Sequence, residues 1–392
     1  MTKRKPSTYL YFLFCLLFHM AACFAHSVTP MLFSDLGLGS YMFGLVLAAM
    51  LVVNFTVSPF WGKLNGTIPS KVSLCIGCLG YALGQVFFAL ARTELQFTLA
   101  RAFTGLFTSA CYVSLLTYTL SLSDDPKEQG ANLTIVATLQ MVGNSFGYLV
   151  GGLLGEISIA TTFVAQVGTL VACAAVFWAV CRKDRSPALE KGSLGRIVRQ
   201  SNPLSALLDG RKFMTPALMI LFICVMIQAI GITTYDQSSN YYLRDVFGFS
   251  SGYNGVIKGI TGILTLCLNL FITVKVVRRF QPPRIITVLY ALCSVFMAGV
   301  VFGANQVTFI VFNILFYSTG AAILPLLQRT LTQRADPQYS SLAMGFYTSM
   351  TSLGSIIGAL SSGLLYAVTP GAPFMLGLGV FVIALILSAT KL

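Results

Sequence analysis

Long apolar runs, separated by short polar breaks, follow one another along the whole chain. About twelve of these runs reach the roughly 20 residues that an α-helix needs to cross the hydrocarbon core of a bilayer. They lie near residues 9–29, 40–61, 71–91, 96–121, 129–155, 158–181, 214–238, 251–274, 284–304, 306–330, 340–366 and 370–390. The pattern predicts an all-α membrane protein with twelve transmembrane helices.

The first run begins just after Lys3, Arg4 and Lys5 and therefore has the outline of a secretory signal. It is too long for the apolar part of a signal peptide, and a second hydrophobic segment follows it at once. We expect this run to be retained as the first transmembrane helix.

Composition supports the same fold class. Hydrophobic residues make up 56% of the chain and charged residues 9%, whereas soluble proteins carry about a quarter charged residues. We therefore expect no soluble domain beside the helices. The net charge of +13 would suit a nucleic-acid binder, but the basic residues lie in the short breaks between apolar runs, so we expect no nucleic-acid partner.

The basic residues also predict the orientation of the chain. If the N-terminus is cytoplasmic, only Arg92, Arg101, Arg244 and Lys258 of the 25 Lys and Arg residues fall outside the cytoplasmic segments. Cytoplasmic loops of membrane proteins carry such an excess. The sequence thus predicts cytoplasmic N- and C-termini in a multi-pass protein of the cell (inner) membrane, and we expect a monomer in the lipid bilayer.

Little in the sequence favours catalysis or metal binding. The ten cysteines lie within or at the ends of apolar runs, and Cys75 and Cys78 form a C-x-x-C without a second pair or a nearby His. A structural zinc site needs four such ligands. The chain has no phosphate-binding G-x-x-x-x-G-K-[ST] loop. We therefore expect no metal, no cofactor and no enzymatic activity.

A charged stretch with two prolines divides the apolar runs six and six. It predicts an N-terminal six-helix bundle at 1–181, a cytoplasmic linker at 182–213 and a C-terminal six-helix bundle at 214–392. A shift of 211 positions superposes the fourth and fifth runs on the tenth and eleventh. It places Asp125 and Pro126 on Asp336 and Pro337, and Gly143, Gly147 and Gly152 on Gly354, Gly358 and Gly363. Internal duplication of this kind predicts two pseudo-symmetric bundles.

Three stretches carry motifs. The second run ends in a stretch that includes Gly62 and Leu64, with Lys71 beyond it, and the fourth run contains Arg101-x-x-x-Gly105. The fifth run contains Gly143, Gly147, Gly151 and Gly152, and the eleventh contains Gly354 and Gly358. Small residues every four positions allow two helix backbones to approach closely. We therefore expect these glycines to pack helices together or to form part of a gate.

Two six-helix halves with these motifs resemble the major facilitator superfamily, and the pattern is most similar to its bacterial twelve-span drug-proton antiporters. The resemblance implies alternating access, in which one half rocks against the other around a site near the midplane. The loop after the second run matches the family motif in part, because Gly66, Thr67 and Pro69 replace the expected Asp, Arg and Gly. In the fifth run, Tyr148 replaces the Pro that the antiporters carry.

Ionisable groups inside apolar runs are candidate site residues, because charge is costly in lipid. Arg101 either takes part in function or extends to the outer headgroups. His19 and His26, the only histidines, share one face of the first run and have either a proton or substrate role or a packing role. Asp236 and Lys258 are expected to pair in the outer half, either as a gate or as a static strut.

These observations lead us to expect a secondary transporter that uses protons to export small hydrophobic or amphipathic compounds. The substrate is expected near Arg101, the first-run histidine face, Asn313 and Tyr317, with Asp236 or His26 carrying the proton. Two alternatives remain open at this point. One is a metabolite importer or facilitator of the same fold, and the other is a membrane sensor or scaffold that transports nothing.

Overall fold

The structure, a computed structural model, describes residues 6–182, 184, 193–208, 210, 213–268, 282–303 and 305–391. Regular structure in this part of the chain is helical. The helices are α1 (Pro6–Asp35), α2 (Met42–Leu64), α3 (Ser70–Leu90), α4 (Glu94–Ser121), α5 (Pro126–Ile157), α6 (Ile159–Val180), α7 (Ser193–Gln200), α8 (Ser205–Leu208), α9 (Pro216–Asp245), α10 (Ser251–Cys267), α11 (Pro282–Phe302), α12 (Gln306–Gly320), α13 (Ile323–Arg334), α14 (Ser340–Val368) and α15 (Ala372–Lys391). The all-α prediction is confirmed.

Within the described ranges, 11 helical segments are long and apolar enough to cross a membrane. α12 and α13 together form one of them, Gln306–Arg334. The predicted eighth run, 251–274, begins as α10, but its last residues lie outside the described part of the chain. Much of the predicted linker at 182–213 also lies outside it, at residues 183, 185–192, 209, 211 and 212.

The helices begin where the sequence provides capping residues. The Thr93 side chain accepts from the Gln96 backbone N–H, and the Gln96 side chain accepts from the Thr93 backbone N–H, forming a capping box at the start of α4. Asp125 caps α5, with proline as the first helical residue. At the start of α6, the Ser158 side chain accepts from the Thr161 backbone N–H. These short polar breaks therefore end one helix and start the next.

Two helices run further than the apolar pattern predicts. α1 extends to Asp35 and α9 extends to Asp245, although the predicted runs end near 29 and 238. Apolar composition reports where a helix leaves the hydrocarbon, whereas a helix ends where its backbone hydrogen bonding stops. Gly37 follows α1 with φ 64° and Gly248 follows α9 with φ 67°, a left-handed conformation that favours glycine and ends a helix.

The predicted tenth run is not one continuous helix in the structure. It is interrupted between Gly320, where α12 ends, and Ile323, where α13 begins. A break of this kind leaves backbone carbonyls without helical partners. The Gln228 side chain on α9 supplies one partner, since its Nε2 donates to the Gly320 carbonyl oxygen at 3.2 Å. The interruption is therefore held by a buried polar contact from another helix.

The described chain groups into two compact units. The first contains Met1–Leu36, Ala49–Pro203 and Ser250–Val256, and in it α1 packs on α5 and α6, and α3 packs on α4 and α6. The second contains Gly37–Ala48, Leu204–Phe249 and Ile257–Leu392, and in it α9 packs on α14 and α15, and α11 packs on α12 and α15. Each unit has its own apolar core.

Each unit contains a similar close contact at a glycine, and a shift of 210 or 211 positions relates the residues of the two contacts. A Cβ atom on Gly147 of α5 would lie 2.3 Å from the Met20 carbonyl oxygen of α1. A Cβ atom on Gly358 of α14 would lie 2.6 Å from the Ile230 carbonyl oxygen of α9. Both contacts leave no room for a side chain, so Gly147 and Gly358, which the shift relates, pack in the same way within their own units.

Candidate functional site

An ion pair joins α9 and α10. Lys258 Nζ lies 2.5 Å from Asp236 Oδ1, and the two side chains are 6% and 26% exposed. The Tyr317 hydroxyl of α12 donates a hydrogen bond to the same Asp236 oxygen. Lys258 Nζ also lies 3.3 Å from the Tyr317 hydroxyl and 4.4 Å from the centre of its ring. Three helices thus converge on one carboxylate.

A second polar contact holds α12 in place beside this cluster. The Tyr235 hydroxyl donates to Asn313 Oδ1 at 2.6 Å, and both residues are buried. Asn313 lies one helical turn before Tyr317, and Tyr235 precedes Asp236 in sequence. The structure therefore brings together Asp236, Lys258 and Tyr317, and gives Asn313 a partner of its own in the neighbouring turn.

Arg101 lies in α4 and is only 4% exposed, so its side chain is buried rather than extended to the outer headgroups. Its guanidinium carbon lies 4.1 Å from the centre of the Phe88 ring on α3, a cation–π contact. Tyr81 on α3 and Tyr148 on α5 interact with it electrostatically. Arg101 is therefore surrounded by aromatic side chains from two neighbouring helices.

The two histidines have different surroundings although they share one helix. His19 is 1% exposed, and within the described residues neither ring nitrogen has a hydrogen-bond partner. Its ring lies 5.7 Å from that of Tyr112. His26 stacks on Tyr148, with ring centres 5.8 Å apart. His26 thus lies near the tyrosine that interacts with Arg101, whereas His19 lies in the apolar core.

The remaining motif glycines lie where helices come closest. Gly143, Gly147 and Gly151 face the backbone of α1. Gly152 faces the start of α10, and Gly105 faces α2, where a Cβ atom would lie 2.4 Å from the Met50 carbonyl oxygen. In the second unit, Gly354 and Gly358 face α9. These positions admit only glycine at the present helix spacing.

The motif at the end of α2 has fewer contacts of this kind. Gly62 is exposed and has open space where a Cβ atom would be placed. Leu64 is buried beside Trp61. Lys71 Nζ lies 4.7 Å from the centre of the Trp178 ring, which ties the start of α3 to the end of α6.

A carboxylate that the sequence analysis did not single out holds the start of α3. Asp184 accepts hydrogen bonds from the Ser70 backbone N–H at 2.9 Å and from the Ser70 hydroxyl. Pro69, which precedes the helix, provides no side-chain cap. An acid at a helix N-terminus satisfies free N–H groups and complements the helix dipole. No local spacing links residues 70 and 184, so sequence alone carried no signal for this contact.

Glu156, near the end of α5, also has a structural role. Its Oε1 accepts from the Gly252 backbone N–H at 2.6 Å and lies 3.4 Å from the Ser251 hydroxyl. The carboxylate therefore caps the start of α10. Tyr81, Gln85 and Phe88 were missed as well, because aromatic and amide residues on an apolar helix give no signal until their neighbours are known.

The chain is similar to known membrane transporters over most of its length. The sequence matches the Major Facilitator Superfamily profile over residues 10–321. It is 23% identical over 370 residues to the multidrug resistance protein MdtG of Yersinia enterocolitica. The aligned region covers 91% of this chain and 85% of MdtG. It is also 23% identical over 354 residues to the quinolone resistance protein NorA of Staphylococcus aureus. That aligned region covers 90% of this chain and 88% of NorA.

The fold is also similar to that of the nucleoside transporter NupG, with a TM-score of 0.75 and 13% sequence identity over 99% of this chain and 98% of NupG. The family match spans most of the sequence, and the structural match spans nearly all of it. The chain is a multi-pass transporter of the cell membrane and belongs to the Major Facilitator Superfamily.

Proposed function

We propose that this chain exports small hydrophobic or amphipathic compounds in exchange for protons. The observation that carries the proposal is the Asp236–Lys258 ion pair, in which Lys258 Nζ lies 2.5 Å from Asp236 Oδ1 between two helices. Ionisable groups in such surroundings are costly, and in transporters they form proton relays. Asp236 is the proton carrier in this proposal.

The cluster provides a simple link between protonation and helix contacts. Ionised Asp236 accepts from Lys258 and from Tyr317, and so ties α9 to α10 and α12. A proton on Asp236 removes the negative charge that attracts the Lys258 ammonium group. The three helices are then free to separate, and loss of the proton to the cytoplasm closes the cluster again. Two arrangements that differ in proton affinity are what coupled transport requires.

The relatives support the substrate class. MdtG is named for multidrug resistance and NorA for quinolone resistance, and each aligns with about nine-tenths of this chain. The unequal distribution of basic residues supports cytoplasmic termini. The repeated glycine contacts support two pseudo-symmetric six-helix bundles, at 1–181 and 214–392, joined by a cytoplasmic linker.

Proton movement in reconstituted vesicles tests this proposal. The purified protein is placed in vesicles loaded with a pH-sensitive dye, and a panel of amphipathic drugs and common metabolites is added. We expect amphipathic drugs to change the internal pH, metabolites to have no effect, and Asp236→Asn to abolish the signal. Asp35→Asn is the matched control, because Asp35 is an exposed acid at the end of α1.

Three results would overturn the proposal. The first is drug movement without a proton signal. The second is a signal that survives in Asp236→Asn and disappears in His26→Ala, which would place the proton on α1. The third is a response to metabolites alone, which would indicate an importer.

A further inference from the structure

Arg101 is a buried cation without an acidic partner in the part of the chain that the structure describes. It is 4% exposed, and no carboxylate of the described residues lies within ion-pair distance of its guanidinium group. Its guanidinium group lies against the Phe88 ring, and Tyr81 and Tyr148 lie near enough to act on it electrostatically. A buried charge is normally paired, because removing it from water is expensive.

Three other carboxylates on the helices are bound by groups other than Arg101. Asp236 pairs with Lys258, and Glu156 binds the Gly252 backbone N–H. Asp245 accepts from the Tyr366 hydroxyl at 2.9 Å. None of these three carboxylates is paired with Arg101.

The helix facing Arg101 carries a second polar group without a partner. Gln85 is fully buried, and within the described residues neither its amide nitrogen nor its amide oxygen makes a hydrogen bond. Gln85 lies one helical turn from both Tyr81 and Phe88, and residues at this spacing share a helix face. The face of α3 that contacts Arg101 thus presents an unused amide donor between two aromatic rings.

We propose that Arg101 binds the anionic group of the transported compound, a carboxylate or a group of similar charge attached to an aromatic or apolar body. The guanidinium group provides charge and parallel N–H donors, which suit a carboxylate. Gln85 donates a further hydrogen bond, and Phe88 and Tyr81 contact the apolar body. The inference rests on the proposed export function and assigns acidic amphiphiles as its substrates.

Binding of three naphthalene compounds of matched size tests this assignment. Naphthoate is anionic at neutral pH, naphthylmethylammonium is cationic and naphthylmethanol is neutral. Dissociation constants are measured by equilibrium dialysis of the purified protein in nanodiscs, with empty nanodiscs to subtract partition into lipid. We expect naphthoate to bind at least about tenfold more tightly than naphthylmethylammonium, as a charge-assisted hydrogen bond implies.

Variants show whether Arg101 is responsible. Arg101→Gln is expected to weaken naphthoate binding about tenfold or more and to leave naphthylmethanol binding unchanged. Arg101→Lys keeps the charge and loses the paired donors, so an intermediate loss is expected. Gln85→Leu is expected to weaken naphthoate binding by a smaller factor. Arg92→Gln is the control, because Arg92 is exposed and bonded to nearby backbone carbonyls.

Two outcomes would overturn the assignment. One is tighter binding of the cation than of the anion by the unmodified protein, a result that needs no variant to fold. The other is an equal loss for all three compounds in Arg101→Gln, which would make Arg101 a structural residue. The dialysis experiment measures binding and not transport. A failure of proton coupling in the vesicle assay therefore leaves the assignment of Arg101 unaffected, and a failure of naphthoate binding leaves the proton-coupling result unaffected.

Discussion

At the scale of single residues, the Asp236–Lys258 pair is expected to behave as a coupled unit. Lys258→Gln leaves Asp236 without its cation, and Asp236→Asn leaves Lys258 without its anion. Each single change should therefore cost about 2 kcal/mol of stability, reduced from the cost of a fully buried pair because Asp236 is 26% exposed. The double variant should cost less than the sum of the single changes.

Thermal unfolding of the detergent-solubilised protein measures this coupling, with Asp35→Asn as the control at an exposed acid. If the double variant loses as much stability as the two single variants together, the two side chains do not interact and the cluster is not a switch.

Tyr317→Phe should cost about 1 kcal/mol, since it removes one hydrogen bond to Asp236 and keeps the ring beside Lys258.

The residues of this cluster differ in how far the sequence identifies them. Asp236 and Lys258 stand out because few charges interrupt the apolar runs, and helices joined by a short turn are neighbours. Tyr317 stands out only as a polar residue on another helix. Outside this cluster, Asp184 gave no signal, because its contact with Ser70 arises only through tertiary packing.

At the scale of helices, close contact between α1 and α5 is expected to be sensitive to any added side chain. A Cβ atom on Gly147 would lie 2.3 Å from the backbone oxygen of Met20, and a backbone cannot move aside as a side chain can. Gly147→Leu should therefore cost at least about 3 kcal/mol, and Gly358→Leu should have a similar effect on the packing of α14 and α9. Gly168→Leu is the control, because nothing lies within 4 Å of its Cβ position on α6.

Melting temperature and elution profile in size-exclusion chromatography report the result. Tolerance of leucine at both Gly147 and Gly358 would mean that the helices are further apart than the structure places them. Equal damage from Gly168→Leu would indicate a general effect of leucine at glycine positions. A large loss at only one of the two motif glycines would contradict the duplication of these contacts.

Helices were easier to predict than their irregularities. Apolar runs identify α1 and α9, because a helix that crosses lipid needs apolar side chains. These runs do not reveal the helical turns that continue past the hydrocarbon to Asp35 and Asp245. The break after Gly320 was not predicted either, because the alanines at 321 and 322 favour a helix. That break depends on a hydrogen bond from Gln228, a residue distant in sequence.

At the scale of the whole molecule, the internal repeat is the feature that links sequence to structure most directly. The shift of 211 positions that relates Gly143 to Gly354 also relates Gly37 to Gly248, and both of the latter have positive φ. Positions related by this shift therefore include both helix-contact glycines and glycines that follow a helix end. The shift places Arg101 on Phe312 and Asp236 on Ala25, so these charged residues are not part of the repeat.

The orientation of the chain leads to the last prediction. Position 92 precedes α4 and position 124 follows it, so one spanning helix separates them and they must lie on opposite sides of the membrane. The excess of basic residues predicts that position 124 is cytoplasmic. Arg92→Cys should therefore react with a membrane-impermeant thiol reagent in intact cells, and Asp124→Cys only after the cells are opened. Both residues are exposed, and both variants carry Cys267→Ser, because Cys267 is the exposed native cysteine. The opposite labelling pattern would place position 124 outside the cell and would contradict the predicted cytoplasmic termini.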